Sequence, residues 1–314
     1  MRQSAVSQIG GRMATPSRGS PAIQRLRLRT RLRQLRTAAH LTQRQVAERM
    51  EWSPSKLLRI EAGEVGISVN DLRPLLALFG VGDDATVEEL LNLARGSRKM
   101  PFTEYRDIYD KDFLGFLAME SAAFVTRSFQ PLVMPGLLQT EEYAMAIIRA
   151  YTPARFSEPQ RQRMLEARML RQEALERDEA EAYFILDESV IRRQVGGPGV
   201  MKGQLRRLAE LAAHPRRDIM IFPFSRGAHS ASQGPFTLFE FEEEEMPPFV
   251  YLENLRGTAT VSTETENFVA YLELFWGLEE RAIKGEQIPR VLLQIAEHLE
   301  TQPHDFHIDP PNGD

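Results

Sequence analysis

Residues 41–64, LTQRQVAERMEWSPSKLLRIEAGE, constrain the fold of this chain more than any other stretch. Thr42 can cap a short helix that runs to about Met50, because its hydroxyl satisfies a backbone N–H left open at a helix start. A tight turn follows at Glu51 and Trp52. Ser53 then caps a second helix, with Pro54 at its first position, where a missing N–H costs nothing. Gly63 is placed to end that helix. Ala47 is small where the two helices must cross closely, and Val46, Leu57 and Ile60 face inward. Two short helices joined by a turn of this length form a helix-turn-helix.

The flanking sequence agrees. Residues 21–97 hold no convincing strand, and apolar residues recur at helical spacing in five runs: Leu28 to Ala39, Val46 to Met50, Leu57 to Ile60, Leu72 to Phe79 and Leu90 to Ala94. The spacing predicts an all-α head of about five helices over 21–97. Charge separates this head from the rest. Residues 1–73 carry 14 Lys and Arg against 5 Asp and Glu, whereas the remainder carries 25 against 39. A basic head on an acidic body implies that the head meets a polyanion and the body does not.

A helix-turn-helix reads duplex DNA by pointing the amino end of its second helix into the major groove. Ser55, Lys56 and Arg59 are read as sharing the outward face of that helix, and a Lys or Arg there can meet guanine O6 and N7. Gln43 and Arg44 open the first helix of the motif, near a phosphate, and Ser53 stands at the start of the second. The preceding helix carries Arg25, Arg27, Arg29, Arg31, Arg33 and Arg36, enough for several sequence-independent phosphate contacts. The expected DNA-contact set is Gln43, Arg44, Ser53, Ser55, Lys56 and Arg59.

The segments LRQLRTAAHLTQRQVAERM, SPSKLLRIEAG and SVNDLRPLLALFGV resemble the Cro/phage-repressor (Xre) class of helix-turn-helix proteins. The resemblance implies that Gln43 positions a phosphate, that Ser55, Lys56 and Arg59 fall on base-reading positions, and that Arg36 and Glu61 form a structural ion pair. Two positions depart from the pattern. The turn holds Glu51 where Gly is usual. The following loop, Glu64-Val65-Gly66-Ile67, is not basic.

Residues 1–20 are rich in Ser, Gly, Arg and Gln and are expected to be a disordered arm. A linker is read at 98–106, and a loose tail at 301–314. Between these, residues 107–300 read as an α+β domain. A helix is predicted over 107–130, one starting at Thr140, a long charged one from Glu158 to Arg177, another over 199–213, and two near 264–283 and 286–300. Strands are predicted at 181–188, 218–224, 235–242, 248–254 and 257–263. The acidic run Glu242–Glu245 reads as a solvated hairpin end.

The blocks MPGLLQTEEYA, EARMLRQEAL, DESVIRRQVGGPGVMKGQLRRL, HSASQGPFTLFEF and VYLEN resemble the carboxy-terminal domain of actinobacterial WhiJ-like sporulation regulators and Scr-type antitoxin-like proteins. That resemblance implies a transcriptional regulator that often works with a small acidic protein encoded beside it. In this domain Glu120, Gln139, Arg168, Arg192, His229, Tyr251 and Glu253 form the candidate set for a partner or ligand contact.

Several classes find no support. The chain of 314 residues has no cysteine, which removes disulfides, thiolate catalysis and cysteine-bound metals. The six histidines show no zinc spacing, and His304 and His307 lie in the tail. Glu120, Glu166 and Glu188 have arginines nearby and read as ion pairs rather than catalytic carboxylates. Gly196, Gly197 and Gly199 lack the Lys-Ser/Thr of a phosphate loop. No cofactor and no enzymatic activity are expected. No membrane span or secretory leader is read, so the cytoplasm is the expected location. The overall expectation is a homodimeric regulator of double-stranded DNA. Two other readings stay open: an antitoxin-like module that holds a small partner and regulates itself, and a second domain that acts as a small-molecule receptor or enzyme.

Overall fold

The computed structural model describes residues 21–62, 65–97, 101–175, 180–242, 247–253 and 259–299. The expected arm at 1–20, the tail at 301–314, Gly63, Glu64 and the run 243–246 lie outside the described residues.

The head is five helices: α1 (Pro21–Ala38), α2 (Gln43–Arg49), α3 (Pro54–Glu61), α4 (Val69–Leu78) and α5 (Asp84–Gly96). They close around Leu28, Leu32, Val46, Leu57, Leu72, Leu75, Leu76 and Leu90, all of which are buried. The caps explain why such short helices form. Thr42 accepts from the Gln45 N–H while the Gln45 side chain accepts from the Thr42 N–H, a reciprocal capping box. Ser68 and Asp83 cap α4 and α5 through their side chains. Ser53 occupies the cap position of α3, but its hydroxyl makes no cap bond and instead lies 3.4 Å from the Ser55 hydroxyl. Pro54 at the first helical position removes one of the open N–H donors of the helix start.

The ends of α1, α2 and α4 share one geometry. After α1, the Leu41 N–H reaches the Arg36 carbonyl and the His40 N–H reaches that of Thr37. After α2, Trp52 and Glu51 donate to Ala47 and Glu48, and after α4, Val81 and Gly80 donate to Leu76 and Ala77. This is the Schellman ending, which needs a left-handed residue after the cap. Gly80 meets that need freely, but His40 and Glu51 hold φ of 55° and 54°. For Glu51 the left-handed state costs about 1–2 kcal/mol, and glycine would return about 0.5–1 kcal/mol of that in chain entropy. Glu51→Gly is therefore expected to stabilise the head by about 0.5–1 kcal/mol, read as a higher urea midpoint at unchanged slope. A lower midpoint would contradict it.

The second domain is a six-stranded mixed sheet between helices. Its strands are β1 (Val125–Gln130), β2 (Glu181–Asp187), β3 (Arg217–Phe222), β4 (Phe236–Glu240), β5 (Phe249–Glu253) and β6 (Ala259–Ser262). Their order is β3-β2-β1-β4-β5-β6, parallel from β1 to β3 and antiparallel from β1 through β4 and β5 to β6. Between β1 and β2 run α7 (Glu141–Tyr151) and α8 (Glu158–Leu170). Between β2 and β3 run α9 (Glu188–Arg192) and α10 (Pro198–Leu211), and Gly196 and Gly197, both at positive φ, turn the chain into α10. One sheet face packs on α7, α10 and α12 (Gln287–His298) through Phe184, Leu186, Ile219 and Ile221. The other face packs on α11 (Thr265–Glu279) through Phe129, Met220, Phe236 and Leu238 against Phe268 and Phe275.

Three sequence expectations change. The helix expected over 107–130 is α6 (Lys111–Glu120) followed by β1, a central strand. A central strand usually reads as a continuous apolar run. β1 alternates instead, because Thr126, Ser128 and Gln130 face an interior cavity while Phe129 on the other side faces the core. The charged helix from Glu158 stops at Leu170 and tightens into a 3-10 turn at Arg171–Leu175. Within the expected linker, Phe102 is buried against the cluster that holds Phe116 and Phe239, so residues 101–106 belong to the packed body.

Candidate functional site

Helix α3, the second helix of the helix-turn-helix pair, is held from behind by α1. Arg36 meets Glu61 through two hydrogen bonds, Nε to Oε1 at 2.6 Å and Nη2 to Oε2 at 3.1 Å. Its remaining Nη1 donates to the Leu41 carbonyl at 2.8 Å. Gln43 adds a third bond to the same carboxylate, Nε2 to Glu61 Oε2 at 2.8 Å. Arg29 Nη1 reaches the Ala62 carbonyl at 2.8 Å and satisfies the open carboxyl end of α3. One carboxylate and two guanidinium groups therefore join the end of α1, the start of α2 and the end of α3.

This arrangement corrects the phosphate role expected for the α1 arginines. Arg25 donates to the Ser97 carbonyl, Arg27 pairs with Glu89, and Arg29 and Arg36 serve α3. Burial lowers the affinity of Arg25 and Arg29 for their protons. Arg31 and Arg33 are the two of the six that stand exposed.

The face of α3 turned away from this mount carries Ser55, Leu58 and Arg59, all exposed, with Ser53 and Pro54 exposed at its start. Lys56 sits on the flank. Its ammonium lies 4.1 Å from the Trp52 ring centre and 3.2 Å from Asp71 Oδ2, so protein groups already hold it. Arg44 stands on the exposed side of α2 and pairs with Glu48 at 3.0 Å. Leu58, 50% exposed, is a position that reading by residue type passes over. It lies about 100° around the helix from Leu57 and cannot join the Leu57/Ile60 stripe. A helical wheel of 54–61 finds it, and a methyl-bearing side chain at such a place suits a thymine methyl.

In the second domain, five of the seven candidate residues come together. Glu120, Gln139, Arg168, Tyr251 and Glu253 line one cavity of about 140 Å³ between the sheet and the helices α6 and α8. Arg192 pairs with Glu188 on α9, away from it. His229 lies on the opposite face, between the rings of Phe129 and Phe222, with its Nδ1 buried and without a partner. The floor of the cavity is a row of paired positions, Ser128, Thr237 and Tyr251, on three adjacent strands. The Ser128 and Thr237 hydroxyls are 3.0 Å apart. Tyr251 stacks on Phe116 at 4.0 Å, and burial beside Glu253 pushes its phenol well above the usual range, so it stays an O–H donor.

The charges are arranged unequally. Arg171 meets Glu120 through Nε to Oε2 at 2.6 Å and Nη2 to Oε1 at 2.8 Å, and both side chains are buried. A Cβ on Gly136 would come within 2.8 Å of Arg171 Nη1, so a side chain there would push this guanidinium aside. Arg168 donates Nη1 to Gln139 Oε1 at 3.0 Å, and its Nε is sealed from solvent with no partner. Desolvation, and then the neighbouring Arg171 charge, lower its hold on its proton. Among the described residues no helix is long and apolar enough to cross a membrane.

A helix-turn-helix domain family matches residues 27–90, the span that contains α2 and α3. A second family, a domain of unknown function (DUF5753), matches residues 113–294, more than half of the chain and nearly all of the sheet domain with its cavity. No curated protein and no solved structure matches. The chain belongs to the DUF5753 family, and it carries a helix-turn-helix head in front of that domain.

Proposed function

We propose that this protein is a sequence-specific, DNA-binding transcriptional regulator of the Cro/phage-repressor type, with a WhiJ-like second domain that senses a ligand or partner and has no catalytic role. The observation that carries the reading is the outward face of α3. Ser55, Leu58 and Arg59 are exposed there while the opposite face is locked to α1 and α2, so a duplex has an open route to the helix. Arg59 and Ser55 serve as hydrogen-bonding readers, Leu58 as an apolar one, and Lys56, Gln43 and Arg44 act from the flanks. Arg31 and Arg33 supply phosphate contacts.

A single head of this size buries only about 600–1,000 Å² on DNA, so two heads on a near-palindromic site, in a homodimer in the cytoplasm, give the reading its affinity. The carboxylates of the second domain support a non-catalytic role, since Glu120 and Glu188 are each occupied by an arginine.

Selection of binding sites from a random duplex pool, followed by salt titration, tests the head. Arg59→Ala is expected to relax preference at one base position, a loss of about 1–3 kcal/mol of discrimination. Arg33→Ala is expected to weaken all sequences evenly and to lower the salt slope by about one. If both variants act alike on every sequence, α3 is not the reading helix.

A further inference from the structure

We infer that the cavity between the sheet and α6/α8 binds a small organic monocarboxylate with an apolar body, anchored by Arg168. The inference rests on the reading of the second domain as a sensor, and it adds the chemical class of what is sensed.

The first ground is the concentration of buried polar groups. Eight polar or charged side chains are buried among the described residues, and six of them line this one cavity: Glu120, Thr126, Ser128, Gln139, Arg171 and Thr237. Five of them are held by mutual or loop hydrogen bonds, Glu120 with Arg171, Ser128 with Thr237, and Gln139 with Arg168 and the Met134 carbonyl, so the lining is a fixed polar surface rather than a collapsed core. The second ground is the contrast between two arginines on neighbouring turns. Arg171 presents its Nε–Nη2 edge to the Glu120 carboxylate. Arg168 has its Nη1 taken by Gln139, while its Nε meets no acceptor. Arg168 lines the cavity and has no carboxylate within ion-pair distance among the described residues, so its guanidinium is the group left to take one from a ligand.

Charge and size narrow the class. Glu120 neutralises Arg171, and Glu253 at the exposed margin balances the charge of the lining, which leaves Arg168 as the cation with no carboxylate in direct contact. A single cation without a direct ion pair, in a lining of zero net charge, suits a monoanion and disfavours a phosphate dianion. The Tyr251 hydroxyl donates to the carboxylate from the sheet side. Phe113, Phe116 and Phe184 supply the apolar wall. A volume of about 140 Å³ is close to that of a cavity known to hold one benzene ring. The route to the head is short: α6 carries Phe116 and Glu120 into the cavity and packs Ala118 against Leu26 of α1.

The test uses the full chain without DNA. Melting is followed with benzoate, phenylacetate and hexanoate, and with inorganic phosphate as the comparison. At least one carboxylate at saturation is expected to raise the melting temperature by about 5 °C or more, and phosphate is not. Arg168→Met is expected to abolish the shift while melting no lower than the parent without ligand, because a buried cation lacking a counter-charge is exchanged for an apolar chain. Should that variant fail to fold, Tyr251→Phe keeps the stack on Phe116 and is expected to weaken carboxylate binding about tenfold. No shift with any of the three carboxylates, a shift that survives Arg168→Met, or an equal shift with phosphate overturns the inference. DNA binding by the same preparation is scored separately. Retained salt-dependent DNA binding with a flat carboxylate series refutes the ligand alone, and the converse refutes the DNA reading alone.

Discussion

Glu120→Ala is expected to cost the second domain about 3–5 kcal/mol, the largest loss from any single polar substitution considered. The carboxylate accepts two charged hydrogen bonds from Arg171 at 2.6 and 2.8 Å, and both groups are buried. Without it, Arg171 and Arg168 stand in one cavity with only the exposed Glu253 as counter-charge, and each raises the cost of the other. The Arg171 guanidinium also lies over the Phe116 ring, 5.4 Å from its centre, so an unpaired Arg171 disturbs the α6 packing as well. Urea unfolding reads the loss directly. The double variant Glu120→Ala with Arg171→Met is expected to recover most of it, since removing both partners leaves no orphaned charge. A double variant no more stable than the single one would mean that the pair acts through shape rather than charge.

Glu61→Ala is expected to cost the head about 2–3 kcal/mol and, at a temperature where the head remains folded, to weaken DNA binding at least tenfold. Glu61 accepts from Arg36 twice and from Gln43 once, and its side chain is only 4% exposed. Its loss strands the Arg36 Nε and frees the Gln43 amide, and the carboxyl end of α3 loses its ties to Arg36 and Gln43 while keeping the Arg29 bond to Ala62. The amino end of α3 then loses the fixed angle that base reading needs. Thermal melting by circular dichroism and fluorescence anisotropy with a selected duplex separate the two effects. Glu61→Gln, which keeps an acceptor for Arg36, is expected to fall between the parent and Glu61→Ala. Stability lost with affinity unchanged would show that the mount is not needed for DNA binding.

The head was legible because its information is local. Caps such as Thr42 with Gln45, Pro54 at a helix start and the apolar stripe of Leu57 and Ile60 act within a few residues of one another. The side-chain assignments within it were less so. Six arginines on α1 look alike as letters, and which of them turn to Glu61, Ala62, Ser97 and Glu89 depends on where α3 and α5 lie beside α1. Helix layout puts Lys56 on the outward face with Ser55 and Arg59, but Trp52 and Asp71 claim it from either side.

In the second domain the strands β2 to β6 showed themselves by alternation, and β1 did not. Its polar residues line a cavity that exists only once α6 and α8 cover the sheet, so nothing along the chain marks Val125–Gln130 as central. Glu120, Gln139, Arg168, Tyr251 and Glu253 stand up to 133 positions apart in the sequence, and nothing along the chain shows that they meet. Short-range chemistry wrote the helices, their ends and most strands into the order of residues, because hydrogen-bond caps and periodicity operate over a few bonds. Which guanidinium finds a carboxylate and which is left facing a cavity was set by long-range packing, because burial and pairing are properties of neighbours in space.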